Sequence, residues 1–147
     1  MRKSLILTGL LLLPLPSPEP CSMQLGQPIE QPTVKEQKIV PEQLEPVVQA
    51  MIHVESRGNT KCFRADGNCA GILQITPIYV EEVNRLLGED RYSLEDRFDS
   101  IKSLEMFMVI QNYYNPGHDI EKAIQLHNKG QAYRARILGR INDQSSI

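Results

Sequence analysis

Among the residues of this chain that could do chemistry, Glu55 stands out by its position. At about 100° per residue, Val47, Val48, Ala50, Met51, Ile52 and Val54 cover an apolar arc about 200° wide on one helix, with Gln49, His53 and Ser56 opposite. Glu55 lies about 80° from Val47, inside that arc and beside Val48, Met51 and Ile52. A carboxylate there loses hydration, so its pKa is expected to rise. A carboxyl kept protonated near neutral pH can donate a proton to a leaving oxygen. Two other readings place Glu55 in solvent at the helix end, or in an ion pair with Arg57 or Arg64.

The cysteines form the next cluster. Cys62 and Cys69 lie seven apart, and in an exported domain that spacing is expected to give a disulfide. Closing so short a loop contributes about 2–3 kcal/mol. Two free thiols are the alternative. No His or Cys pair with ligand spacing stands nearby, so no metal is expected. His53 falls on the polar helix face and His118 in a turn. Asp66, Glu81, Glu82 and Asp99 belong to no motif and are expected to be solvated charges. Tyr113-Tyr114 either lines a cleft or packs at a helix end, and Met51, Met106 and Met108 read as core. A phosphate-binding glycine loop and a nucleophile elbow are absent from the sequence.

The elements that must position these residues read as helices. Pro46 suits the first residue of a helix reaching about Ser56, with Gly58 as its stop. Thr76-Pro77 opens a second, ended by Gly88. Asp96 or a neighbour opens the longest, with Phe98, Ile101, Leu104, Phe107, Met108 and Ile110 at core spacing and Asn115-Pro116-Gly117 as its end. Asp119 caps a helix carrying Ile120, Ala123, Ile124 and Leu126, stopped by Gly130. A last helix carries Tyr133, Ile137, Leu138 and Ile141. Alternating runs are missing, so no strand is expected, and residues 58–71 read as an irregular loop. The fold class is mainly α.

Organisation and composition narrow the options. Met1-Arg2-Lys3 followed by an apolar stretch to Leu13 reads as an export signal, too short for a membrane span. Pro14, Pro16, Pro18 and Pro20 crowd the cleavage region, and Cys21 is a candidate acylated cysteine. Residues 1–22 are thus a leader, 23–40 a Pro/Gln-rich tether, 41–143 the folded domain and 144–147 a tail. The chain has 147 residues with 41% apolar residues, enough for one domain with a real core. A net charge of -2 argues against a polyanion-binding surface, so nucleic acid is not an expected partner. Contact with a membrane is expected only through the leader. Trp is absent and aromatics make up 5%, so a sugar site would lean on Tyr and hydrogen bonds.

Glu55-Ser56 is followed by Gly71-Ile72-Leu73-Gln74 and then by Leu126-His127-Asn128-Lys129-Gly130. This ordered set resembles the lytic transglycosylases of the soluble slt type, a branch of the lysozyme-like superfamily, over residues 45–140. In that family a helix ends in Glu-Ser, a Gly-Leu-Met-Gln-like segment comes next, and an Ala-Tyr-Asn-x-Gly-like segment lies near the C-terminus. The resemblance implies a lysozyme-like single domain in which Glu55 is the sole catalytic acid and base. It implies that Ser56 hydrogen-bonds near it, that Gly71 allows close backbone approach, and that Gln74 contacts the glycan. Asn128 matches the residue that binds the N-acetyl region, and Tyr133 a tyrosine near the catalytic glutamate. His127 departs from the family, which usually has Tyr there, and Leu126 replaces the usual Ala. The implied activity is cleavage of the β-1,4 bond between N-acetylmuramic acid and N-acetylglucosamine in peptidoglycan strands, with a 1,6-anhydro product and no cofactor. A hydrolytic lysozyme of the same fold and a non-catalytic wall-binding module are the alternatives. The implied setting is the bacterial periplasm or envelope, as a monomer on a tether, with a secretion or conjugation machine as a partner.

Overall fold

The computed structural model describes residues 38–146; the expected leader, Cys21 and the tether up to residue 37 lie outside the described residues. The described part is mainly helical, as the periodicity requires.

The helix α1 (Glu45–Glu55) begins one residue before Pro46, which takes a first-turn position where its missing N–H costs no helical bond. It stops because Arg57 and Gly58 both adopt left-handed backbone, at φ 54° and 81°. Its buried face carries Val47, Val48, Ala50 and Met51, and Val40 and Leu44 before it are also in the core.

Residues 58–71 are more regular than expected. The short strands β1 (Phe63–Arg64) and β2 (Cys69–Ala70) pair antiparallel, Phe63 opposite Ala70 and Arg64 opposite Cys69. Strands of two residues leave no alternation to read. Mutual backbone bonds between Ala70 and Ile75, at 2.9 and 3.1 Å, then close a tight turn over residues 71–74. The expected Cys62–Cys69 disulfide is not formed, and both thiols are free. The hairpin register supplies the reason. The Gly71 N–H donates to the Cys62 carbonyl at 2.8 Å, so Cys62 faces Gly71 and sits diagonally to Cys69. Such diagonals span about 7–8 Å, at or past the reach of a disulfide.

Thr76 caps α2 (Pro77–Leu87) by accepting from the Tyr79 N–H at 3.2 Å, and Gly88, at φ 73°, ends it. The longest helix opens later than expected. Residues Glu95–Phe98 form a single 3-10 turn, and Asp99 is the true cap of α3 (Ser100–Tyr114), accepting from Ile101 and Lys102 at 2.9 and 3.0 Å. Ile101 accordingly points outward at 58% exposure, not into the core. Asp119 caps α4 (Ile120–His127) through the Lys122 N–H at 2.7 Å. After Asn128 and Gly130 the chain enters α5 (Gln131–Gln144).

Helix α1 packs mainly on α5 and also meets α4; α3 lies against α2 and α4. Fully buried Leu44, Val47, Met51, Leu73, Ile75, Met106, Phe107, Ile124 and Ile137 fill the space between them. Buried side chains of this size contribute about 1.5–3 kcal/mol each. Among the described residues no helix is long and apolar enough to cross a membrane.

Candidate active site

Two apolar stripes end in titratable residues, and the fold brings those ends together. On α1 the stripe runs Val48, Met51, Ile52, Glu55; on α4 it runs Ile120, Ala123, Ile124, His127. Each has the i, i+3, i+4, i+7 spacing of one helix face. Because α1 meets α4, the stripes converge. Glu55 Oε1 lies 3.6 Å from His127 Nε2, with side chains only 10% and 6% exposed. Edge-on contacts with Tyr79 and Phe107, at 6.1 and 6.5 Å between centroids, hold the imidazole from two sides. Tyr133 of α5 lies 6.1 Å away at a tilt of 32°.

Burial works to raise the pKa of Glu55. The His127 imidazole, through side-chain contact and charge, outweighs it together with the Tyr133 hydroxyl and the Arg64 guanidinium, and the carboxyl is held below its ordinary value. This corrects the expectation of a raised pKa: the apolar arc supplies desolvation, but the arc of one helix does not include what a second helix brings. Burial first, then the Glu55 charge, pushes the ionisation of the Tyr133 hydroxyl upward. That hydroxyl and His127 Nδ1 are both buried without a hydrogen-bond partner among the described residues.

Ser56 ties this centre to the turn at residues 71–74. Its hydroxyl donates to the Ile72 carbonyl at 2.9 Å, with the Ile52 carbonyl at 3.2 Å, and accepts from the Gly58 N–H at 3.1 Å. It anchors the helix end that bears Glu55. Tyr133 of α5 is brought beside Glu55.

Gly71 and Gln74 sit otherwise than expected. Gly71 is buried at φ 76°, and a Cβ there would lie 1.7 Å from the Arg97 carbonyl oxygen. Its close approach is therefore to the protein's own backbone, not to a glycan. Gln74 is 5% exposed, and its Nε2 donates to the carbonyls of Gly71 and Cys62 at 2.9 and 3.1 Å. The amide braces the turn from inside, because a left-handed residue at φ 49° turns its side chain back over the loop. Asn128 is exposed and accepts from the Gly130 N–H at 2.8 Å. It lines a recess of about 780 Å³ with Gln125, Lys129, Gln131 and Arg134, and Glu55 is not among the walls.

A second recess, of about 270 Å³, is lined by Thr76, Ile78, Tyr79, Glu82, Tyr114 and Leu126 among others. Tyr79, one of its walls, packs edge-on against His127. Tyr114 serves here as a recess wall, whereas Tyr113 is 62% exposed. The four other carboxylates that the sequence singles out are exposed, paired or capping a helix. Asp66 and Glu81 are exposed, Glu82 is held by Arg85 and Tyr114, and Asp99 caps α3.

Sequence reasoning misses His127 as a partner and Arg97 as a strut. A signal for His127 is present: it is the fourth member of the α4 stripe. Arg97 is buried and donates to the carbonyls of Leu94 at 2.7 Å, Asn68 at 2.7 Å and Ile75 at 3.2 Å. The Leu94 carbonyl is local, but the Asn68 and Ile75 carbonyls that hold Arg97 across the fold come from distant segments. Comparison with family models, with curated proteins and with solved structures finds no match to this chain.

Proposed function

We propose that this chain is a peptidoglycan lytic transglycosylase with a lysozyme-like fold, in which Glu55 acts first as acid and then as base. The observation that carries the reading is the enclosed Glu55 carboxyl at the end of α1, met by His127 from the third segment of the resemblance and by Tyr133 a few residues beyond it. In the reaction, Glu55 gives its proton to the oxygen linking N-acetylmuramic acid to N-acetylglucosamine, and the bond from that oxygen to the anomeric carbon breaks. The acetamido group of the substrate stabilises the positive carbon. The 6-hydroxyl of the same sugar then attacks it and returns a proton to Glu55, closing the 1,6-anhydro ring. One carboxyl serves both steps. A hydrolytic enzyme draws on a second carboxylate, and the four that the sequence offers, Asp66, Glu81, Glu82 and Asp99, are exposed, paired or capping a helix. This role belongs to an exported protein of the bacterial envelope, serving a secretion or conjugation machine that needs a local gap in the wall.

Clearing of purified sacculi tests the reading. Glu55→Gln is expected to lower the clearing rate by at least about 100-fold while leaving the far-ultraviolet circular dichroism unchanged. Clearing by this variant at the parental rate contradicts the assignment. A parent chain that sediments with sacculi and clears none of them points instead to the wall-binding alternative.

A further inference from the structure

His127 stands where the resembled family has Tyr, and it is the titratable side chain paired with Glu55, at 3.6 Å. That separation lies just beyond hydrogen-bond distance. Both are the last residues of their helices, and helix C-termini favour a positive charge nearby. Two such ends converging on one point favour a pair that retains a proton. The other groups facing the pair are Tyr133 of α5, with the Arg136 guanidinium 5.9 Å from its ring centroid, Tyr79 of α2, and Arg64 of β1, itself against Cys69. None of these is a second carboxylate.

Resting on the acid-and-base role of Glu55, we propose that Glu55 and His127 hold one proton between them, which sits on the imidazole while the cleft is open and passes to the carboxyl when a glycan strand covers it. In the uncovered site the ion pair keeps only the water that side chains 10% and 6% exposed admit. A covering strand removes that water, and two buried opposite charges lose more hydration than a neutral acid and a neutral imidazole. The His127 Nε2–H bond breaks with its electron pair staying on nitrogen, and a Glu55 Oε1–H bond forms. Glu55 then donates to the glycosidic oxygen and recovers a proton from the muramyl hydroxyl, so the pair ends each turnover holding one proton again. His127 is thus a positioning residue for the proton and acts only through Glu55. The lowered Glu55 pKa, in which burial is opposed by the imidazole together with the Tyr133 hydroxyl and the Arg64 guanidinium, agrees with this resting state.

The first readout needs no substrate: carbon-13 NMR titration of the Glu55 carboxyl in the full chain and in His127→Gln. The midpoint is expected to rise by about one pH unit or more in the variant, since burial then acts without the imidazole. An unmoved midpoint overturns the proposal. The second readout is the pH profile of sacculus clearing. The variant's alkaline limb is expected at lower pH than the parent's, its deficit growing about tenfold per unit above the carboxyl midpoint. A deficit of the same factor at every pH marks a packing role and also overturns the proposal. A shifted midpoint in a parent that clears no wall leaves the shared proton standing and removes the transglycosylase reading. Should His127→Gln fail to fold, His127→Tyr, which restores the family's usual ring, carries both measurements.

Discussion

At the scale of single residues, burial and charge oppose one another on Glu55, and the sequence exposes only the first. The apolar arc of α1 is legible because helical periodicity is local. The imidazole, first among the groups that together reverse the direction of the pKa, lies on another helix, and only the matching stripe on α4 hints at it. Gly71 shows the same division. A glycine in that segment is legible, but its reason is not, because the Arg97 carbonyl arrives from a distant part of the chain. Gly71→Ala combines a left-handed backbone with a Cβ 1.7 Å from that oxygen. Urea unfolding is expected to show a loss of about 3 kcal/mol or more. A loss below about 1 kcal/mol would mean that the turn and the 3-10 segment separate freely.

At the scale of elements, capping side chains fix where two of the helices begin. Thr76-Pro77 and Asp119 open α2 and α4 as their chemistry requires. The sequence places the start of α3 too early because Asp96 and Asp99 are both suitable caps, and only the observed bonds from Ile101 and Lys102 decide for Asp99. Helices α2 and α3 are also clamped by side chains. The Glu82 carboxylate accepts from Arg85 Nε and Nη2 at 2.7 Å each and from the Tyr114 hydroxyl. Bonds from Arg85 and then Tyr114 hold its pKa down at about 2, against an ordinary 4.5. A depressed folded-state pKa gives stability that is present above the unfolded value and lost as pH falls through the folded one. Glu82→Gln is therefore expected to unfold at lower urea than the parent above pH 4.5, with the gap closing as pH falls toward about 2. A gap that ignores pH would mean that the clamp adds no stability through its charge.

At the scale of the whole molecule, the mainly helical class emerges from hydrophobic period alone, whereas the hairpin does not. The convergence of two helix ends on one enclosed carboxyl is a property of the assembled fold, and in the proposed mechanism it makes one acid sufficient for glycan cleavage. Mass spectrometry of the muropeptides released from purified wall tests this most directly. Muramyl ends lighter by one water than those of a hydrolase are expected, as a 1,6-anhydro ring requires, formed by the parent and lost in Glu55→Gln. Products bearing a free reducing end, or anhydro products still formed by Glu55→Gln, would contradict the one-carboxyl mechanism.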